Sequence, residues 1–210
     1  MLTLCFDTSL DKTYILLAEN NKILTSLEIK SDEKNYHSAY LISKIAELLK
    51  QNNKTPKDLK IIGVNIGPGS FTGIRAGVTV ARVLAQETGA KTFGISSLEI
   101  LANASNLENP IVILDARKNM AYVWDNKVLG AIELESVDKL AQNRNILTDN
   151  TLFERYKTIG NKVLSYQEKN FSLGETLFKI INKETPSEEN VWQNLKPLYI
   201  QPPPVTLKRN

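Results

Sequence analysis

The stretch Ile61-Ile62-Gly63-Val64-Asn65-Ile66-Gly67-Pro68-Gly69-Ser70-Phe71-Thr72-Gly73-Ile74-Arg75-Ala76-Gly77-Val78 limits what this chain can fold into more than any other. Ile61 to Ile66 is an apolar, β-branched run that reads as a buried strand. Gly67-Pro68-Gly69 breaks it, and Ser70 is placed to cap a helix by accepting a bond from an orphan first-turn amide. The helix continues from Phe71 to about Glu87. Thr72, Arg75, Thr79, Arg82 and Gln86 fall in one narrow arc of that helix, so it is packed on most sides. Gly73, Gly77 and Ala81 recur every fourth residue. Glycine costs a helix about 1 kcal/mol relative to alanine, so this line implies that another backbone comes close. Two readings stand: packing against the chain's own core, or a helix–helix contact with a second subunit.

A glycine-rich strand-to-helix turn also invites a nucleotide reading, which the spacing limits. Gly67, Gly69 and Gly73 give G-x-G-x-x-x-G, one residue off the dinucleotide fingerprint, and no Gly-Lys-Ser/Thr follows. Pro68 stands where a G-x-S-x-G nucleophile elbow needs its first glycine. Helix N-terminal amides remain able to hold an anion.

Length and composition fit a soluble globular protein: 210 residues, 42% hydrophobic and 23% charged. That length buries a substantial core in one domain or two small lobes. No apolar run approaches the roughly 18 residues of a membrane span. The Met1–Asp7 segment lacks a basic region and is broken by a carboxylate, so no signal peptide is expected. The single Cys5 is expected to be a buried, inert thiol in a reducing cytoplasm. A net charge of +3, carried mostly by dispersed lysines, marks no nucleic-acid surface.

The first three strands are expected at Leu2–Phe6, Tyr14–Ala18 and Lys22–Lys30 as an antiparallel meander. A helix over Tyr36–Gln51 follows, apolar over about half its circumference, which exceeds the ordinary stripe. After the central strand and helix come a short strand at Thr92-Phe93 and a helix capped by Ser96 or Ser97 and running to about Ala104. The order is βββαβαβα over residues 1–106. A second, smaller lobe is expected over 107–195. It opens with Ile111–Leu114 ending at Asp115, as the first strand ends at Asp7, and continues through strands at Ala121–Trp124 and Val128–Leu134. Beyond these, a helix near Val137–Gln142, a strand near Asn145–Leu147 and a helix at Leu173–Ile181 are expected, with Val191 and Trp192 docking. Residues 196–210, with three consecutive prolines, read as an extended tail without packing of its own. The echo between the two openings points to two related lobes.

Gly67-Pro-Gly-Ser-Phe-Thr-Gly-Ile-Arg-Ala-Gly77 resembles the signature of the TsaB (YeaZ) family, a bacterial component of the machinery that makes threonylcarbamoyladenosine in tRNA. The resemblance extends, in order, to Phe6-Asp7-Thr8-Ser9, His37-Ser38, Ile95–Glu99, Leu114–Arg117 with Tyr122, and Pro197-Leu198-Tyr199. Gln201 departs from it, standing where an arginine is expected. The resemblance implies an α/β, two-lobed actin-like ATPase fold. It also implies a cytoplasmic, non-catalytic subunit that binds and activates a TsaD-like catalytic subunit, with a TsaE-like ATPase as a further partner. A homodimer is expected when the partner is absent, and tRNA is met only through the complex. The partner surface is expected on the first-lobe helices at Tyr36, His37, Tyr40, Leu41, Lys44, Leu48, Gly73, Gly77, Val80, Ala81 and Leu84. Gly67, Gly69, Ser70, Thr72 and Arg75 form the structural signature.

Catalytic schemes lack residues. His37 is the only histidine, and Leu41 stands four positions on, where a metal-holding pair would place its second imidazole. No metal site is expected, and Ser-His-Asp or Cys-His hydrolysis by a peptidase depends on that same residue. A vestigial phosphate site is expected at Asp7, Thr8 and Ser9 with Asp115 opposite, yet Asp115 is followed by Ala116-Arg117-Lys118 without glycine. No tightly bound cofactor is expected, although ATP or ADP at the partner junction is compatible with the residues. The competing reading is a stand-alone ATPase or small-molecule kinase of the same superfamily.

Overall fold

β1 (Leu2–Asp7) is buried along its whole length, which places it inside a sheet with both faces covered. The computed structural model of the chain describes residues 1–30 and 40–201. β1 pairs antiparallel with β2 (Lys12–Glu19), which pairs antiparallel with β3 (Lys22–Lys30). On its other side β1 runs parallel to β4 (Leu59–Asn65), and β4 runs parallel to β5 (Lys91–Ile95). The strand order is β3-β2-β1-β4-β5.

The second sheet repeats the first. β6 (Ile111–Asp115), β7 (Met120–Trp124) and β8 (Val128–Glu133) form the meander, and β9 (Asn145–Thr148) and β10 (Lys162–Ser165) add in parallel, in the order β10-β9-β6-β7-β8. The helices repeat too. α1 (Leu41–Gln51), α2 (Phe71–Thr88) and α3 (Ser97–Ala104) fall after the third, fourth and fifth strands of the first sheet. α4 (Leu134–Ala141), α5 (Asn150–Tyr156) and α6 (Leu173–Ile181) fall at the same places in the second. The unit βββαβαβα therefore occurs twice, and the fold is the two-lobed actin-like α/β fold.

The last helix of each unit crosses to the other one. α3 packs on β6 and β7, α6 packs on β1, β2 and β4, and the two helices touch. Leu173–Ile181 was expected within the second lobe; its apolar stripe is instead spent on the first sheet. The central core between the sheets joins Leu16, Ile61 and Phe93 to Val112, Leu114 and Leu147 through α3 and α6. One outer core lies under α1 and α2, another under α4 and α5. α5 and β10 go beyond the expected elements. Seven and four residues long, they are too short to carry a period of their own.

Docking near Val191 and Trp192 agrees with expectation, whereas Leu198 and Tyr199, expected in an unpacked tail, are also held against the first lobe. The terminal segment forms no helix or strand through Gln201, but it is packed. The Thr92 amide donates to the Asn190 carbonyl (3.0 Å), covering the free edge of β5. Leu195 is buried, Trp192 lies over the Arg82 guanidinium, and the Leu198 amide donates to the Ile66 carbonyl (2.9 Å).

The caps explain where the helices start. Ser70 accepts from the Gly73 amide, Ser96 from Glu99 and Asp149 from Leu152. α2 ends at Gly89, whose φ of 70° suits a residue without a Cβ. Gly73 is held to glycine more tightly. A Cβ there would lie 1.8 Å from the Thr8 carbonyl oxygen, and one at Gly77 would lie 2.9 Å from Thr8 Oγ1. Gly73→Ala should therefore cost more than about 3 kcal/mol in urea unfolding, because neither backbone can yield, with a smaller loss for Gly77→Ala. Equal, small losses would contradict the packing described.

Candidate functional site

The β1–β2 turn is built from Asp7, Thr8 and Ser9, all buried. Asp7 Oδ1 accepts from both the amide and the hydroxyl of Ser9 (2.7 Å each). Thr8 Oγ1 donates to the Gly73 carbonyl (2.6 Å), and the Ser9 carbonyl accepts from the Ser70 amide (2.7 Å). The turn and the N-terminus of α2 therefore satisfy one another. From the other side, the Ser97 amide donates to the Gly67 carbonyl (2.8 Å) and the Ser97 hydroxyl to that of Pro68. The fully buried Ser97 fastens α3 to the glycine turn.

The second lobe shows the same inward economy. The Asp115 amide donates to Asp149 Oδ2 (2.6 Å), and the Arg117 amide donates to Asp115 Oδ1 (2.9 Å). Arg117, Lys118 and Asn119 all have positive φ, which closes the turn without glycine. Asp149 was not expected at this site. Its dual role as helix cap and tether of Asp115 was hinted at only by its place just before α5.

Burial raises the ionisation of Asp7 above the ordinary carboxylate range, against the opposing bonds from Ser9 and Asn65. Burial raises Asp149 likewise, with the neighbouring Asp115 charge adding to it. Burial also raises the Tyr166 hydroxyl, reinforced by Asp11, Asp149 and Asp7. Carboxylates of both lobes thus contribute to the shift of the same tyrosine. Burial keeps the Cys5 thiol protonated. Among the described residues no group of three or more His, Cys, Asp or Glu side chains is arranged to hold a metal ion.

The expected partner surface divides in two. Leu41, Leu48 and Ala81 are buried in the chain's own outer core, and Gly73 and Gly77 face Thr8, so the small-residue line of α2 meets its own β1–β2 turn. This corrects the expectation that these five positions face a second protein. Val80 and Leu84 are half-buried at the rim of that core, and Lys44 pairs with Glu47 at 2.7 Å. Tyr40 is exposed; Tyr36 and His37 lie outside the described residues. The apolar side chains that do point outward are Tyr40 and Ile42 beside or on α1, and Val83 on α2, with Ile42 64% and Val83 54% exposed. Sequence periodicity counted Ile42 and Val83 as apolar without separating them from the core stripe.

Within the signature, Gly67 and Gly69 form the turn, Ser70 caps α2 and Thr72 is exposed. Arg75 lies with its Cζ 3.9 Å from the centre of the Phe71 ring, and its Nε donates to the Tyr199 hydroxyl (3.1 Å).

A family model described as "TsaD: tRNA N6-adenosine threonylcarbamoyltransferase" matches residues 29–186. The chain belongs to that family. Within it, the resemblance to the TsaB (YeaZ) group holds. The Bacillus subtilis protein named "tRNA threonylcarbamoyladenosine biosynthesis protein TsaB" is 36% identical over 124 residues, 58% of this chain and 53% of that one. A tRNA N6-adenosine threonylcarbamoyltransferase of Desulfovibrio desulfuricans is 28% identical over 127 residues, 53% of this chain and 34% of the relative. The chain thus spans about half the length of the TsaB relatives it matches. The solved structure of YeaZ from Pseudomonas aeruginosa superposes with a TM-score of 0.73 over 94% of this chain and 99% of that one, at 17% identity, which shows the shared fold.

Asp7 supplies a measurable consequence. A folded-state value above the unfolded one means the native state holds the extra proton, so its stability contribution is lost as pH rises. Relative to Asp7→Asn, the wild type should lose urea resistance as pH climbs above roughly 4, the ordinary aspartate value. A pH-independent difference between the two would show that Asp7 is not desolvated as described.

Proposed function

We propose that the chain is a non-catalytic partner subunit in the synthesis of threonylcarbamoyladenosine in tRNA, docking on and activating a TsaD-type catalytic subunit. The observation that carries this reading is the outward face of α1 and α2. It leaves Tyr40, Ile42 and Val83 exposed on a skeleton whose turn hydroxyls, of Thr8 and Ser9, and Ser9 amide are already bonded to the protein itself. Membership of the TsaD family and similarity to proteins named for this modification support it. A two-lobed relative of the catalytic subunit offers a matching helical face to its partner.

Several finer points belong to the same proposal. A second copy of this chain takes the partner's place when the partner is absent, using the same helices. A TsaE-like ATPase joins the assembly, and tRNA is met through the complex. Any nucleotide sits at the subunit junction, because the hydroxyls of Thr8 and Ser9 and the Ser9 amide in the β1–β2 turn are engaged within the chain. A stand-alone ATPase would need those donors free for phosphate.

Ile42→Arg and Val83→Arg should each abolish co-purification with a co-expressed TsaD-type subunit. Both should leave the thermal midpoint nearly unchanged, since exposed substitutions shift stability by about 0.5 kcal/mol or less. A complex that survives both changes would refute the docking surface.

A further inference from the structure

At the N-terminal end of the same helix, Arg75 is held in a way that an ordinary surface arginine is not. Its guanidinium lies on the Phe71 ring, 3.9 Å from the centroid, and 6.0 Å from the centre of the Tyr199 ring. The two rings touch with centroids 5.1 Å apart. Nε is engaged by the Tyr199 hydroxyl, 124 residues away. That engagement leaves the terminal nitrogens of the fork, and among the described residues no carboxylate pairs with Arg75. Its side chain is exposed at the positive end of α2, where the helix macrodipole does not favour a cation. The helix end gives no reason for a cation here; the contacts with Phe71 and Tyr199 hold it in place and restrict the rotamers that binding would otherwise have to freeze.

Residue spacing places this fork on the proposed docking surface. Arg75, Thr79 and Val83 follow one another at four-residue intervals and are all exposed, so they share the outward face of α2. The terminal segment flanks this face, with Trp192 over Arg82 at 5.5 Å and Tyr199 at Phe71 and Arg75. Arg82 is half-buried beside Trp192, whereas Arg75 is exposed, so Arg75 is the more accessible of the two arginines on this helix.

We infer that Arg75, clamped between Phe71 and Tyr199, is the charged anchor of the docking face and receives a carboxylate of the partner protein. This rests on the proposed docking of α1 and α2. A carboxylate takes the two terminal nitrogens of a guanidinium side by side, a fit that a lone lysine does not reproduce. A protein carboxylate fits better than a nucleic-acid backbone, because phosphate tracking needs several cations in a row. The surroundings are instead two aromatic rings, Thr72, Thr79 and Val83, the mixture of arginine and aromatic groups found at protein–protein anchors. Tyr199 is a positioning residue: it touches the fork, and the fork touches the partner.

The test is calorimetric titration of full-length chain with the TsaD-type subunit of the same organism at two salt concentrations, using Arg75→Met, Tyr199→Phe and Val83→Arg. Arg75→Met should weaken binding about tenfold or more and flatten its salt dependence, as expected for a charge-assisted bidentate pair. Tyr199→Phe should weaken it less, with the salt dependence retained and the thermal midpoint unmoved. If Val83→Arg abolishes binding while Arg75→Met leaves affinity and salt dependence intact, the anchor is refuted and the docking surface stands. If neither substitution matters, both are refuted. If Arg75→Met removes binding of isolated tRNA to the free chain and spares the protein partner, the fork reads phosphate and the inference is overturned.

Discussion

The approach of α2 to the β1–β2 turn is the contact on which the rest of the molecule depends. Gly73 lies so close to the Thr8 carbonyl that no side chain fits between them. The same approach lets Thr8 Oγ1 reach the Gly73 carbonyl and the Ser9 carbonyl reach the Ser70 amide. Burying a turn and a helix terminus together is costly unless their polar groups are satisfied. Here they satisfy each other, and Asp7 completes the arrangement by accepting from Ser9. The turn is thereby an internal brace between β1 and α2.

That brace acts within a molecule whose halves cannot be separated cleanly. Because α3 lies on the second sheet and α6 on the first, each half completes the core of the other. Ser97, at the start of α3, holds the glycine turn, so the exchange of helices also fixes the position of α2. The terminal segment adds a third restraint through Asn190, Leu195 and Leu198. With its inner side so fully engaged, α2 has only its outer face for contact with anything else.

Much of this was legible in the residues. The strand–turn–helix at Ile61–Thr88, the serine caps and the first-lobe order follow from local chemistry, and the echo between Asp7 and Asp115 foretold the repeat of the two sheets. What was not legible depended on tertiary proximity. Gly73, Gly77 and Ala81 announce that a backbone comes close, but the spacing does not say whose; it is Thr8. The apolar stripe of α6 does not name the sheet it covers. Ile42 and Val83 share helices with buried residues, and only the packing shows which apolar groups are left outside. The Tyr199–Arg75 bond joins residues no local pattern connects, and the short α5 and β10 are stabilised by the core rather than by their own period.

Whether the turn chemistry has displaced phosphate chemistry is the decisive point. Titration of the purified full chain with Mg-ATP, followed by a phosphate-release assay without any partner, addresses it directly. The bonded state of Asp7, Thr8 and Ser9 predicts no turnover above background and no binding that Asp7→Ala removes. Saturable binding with hydrolysis that disappears in Asp7→Ala would contradict it.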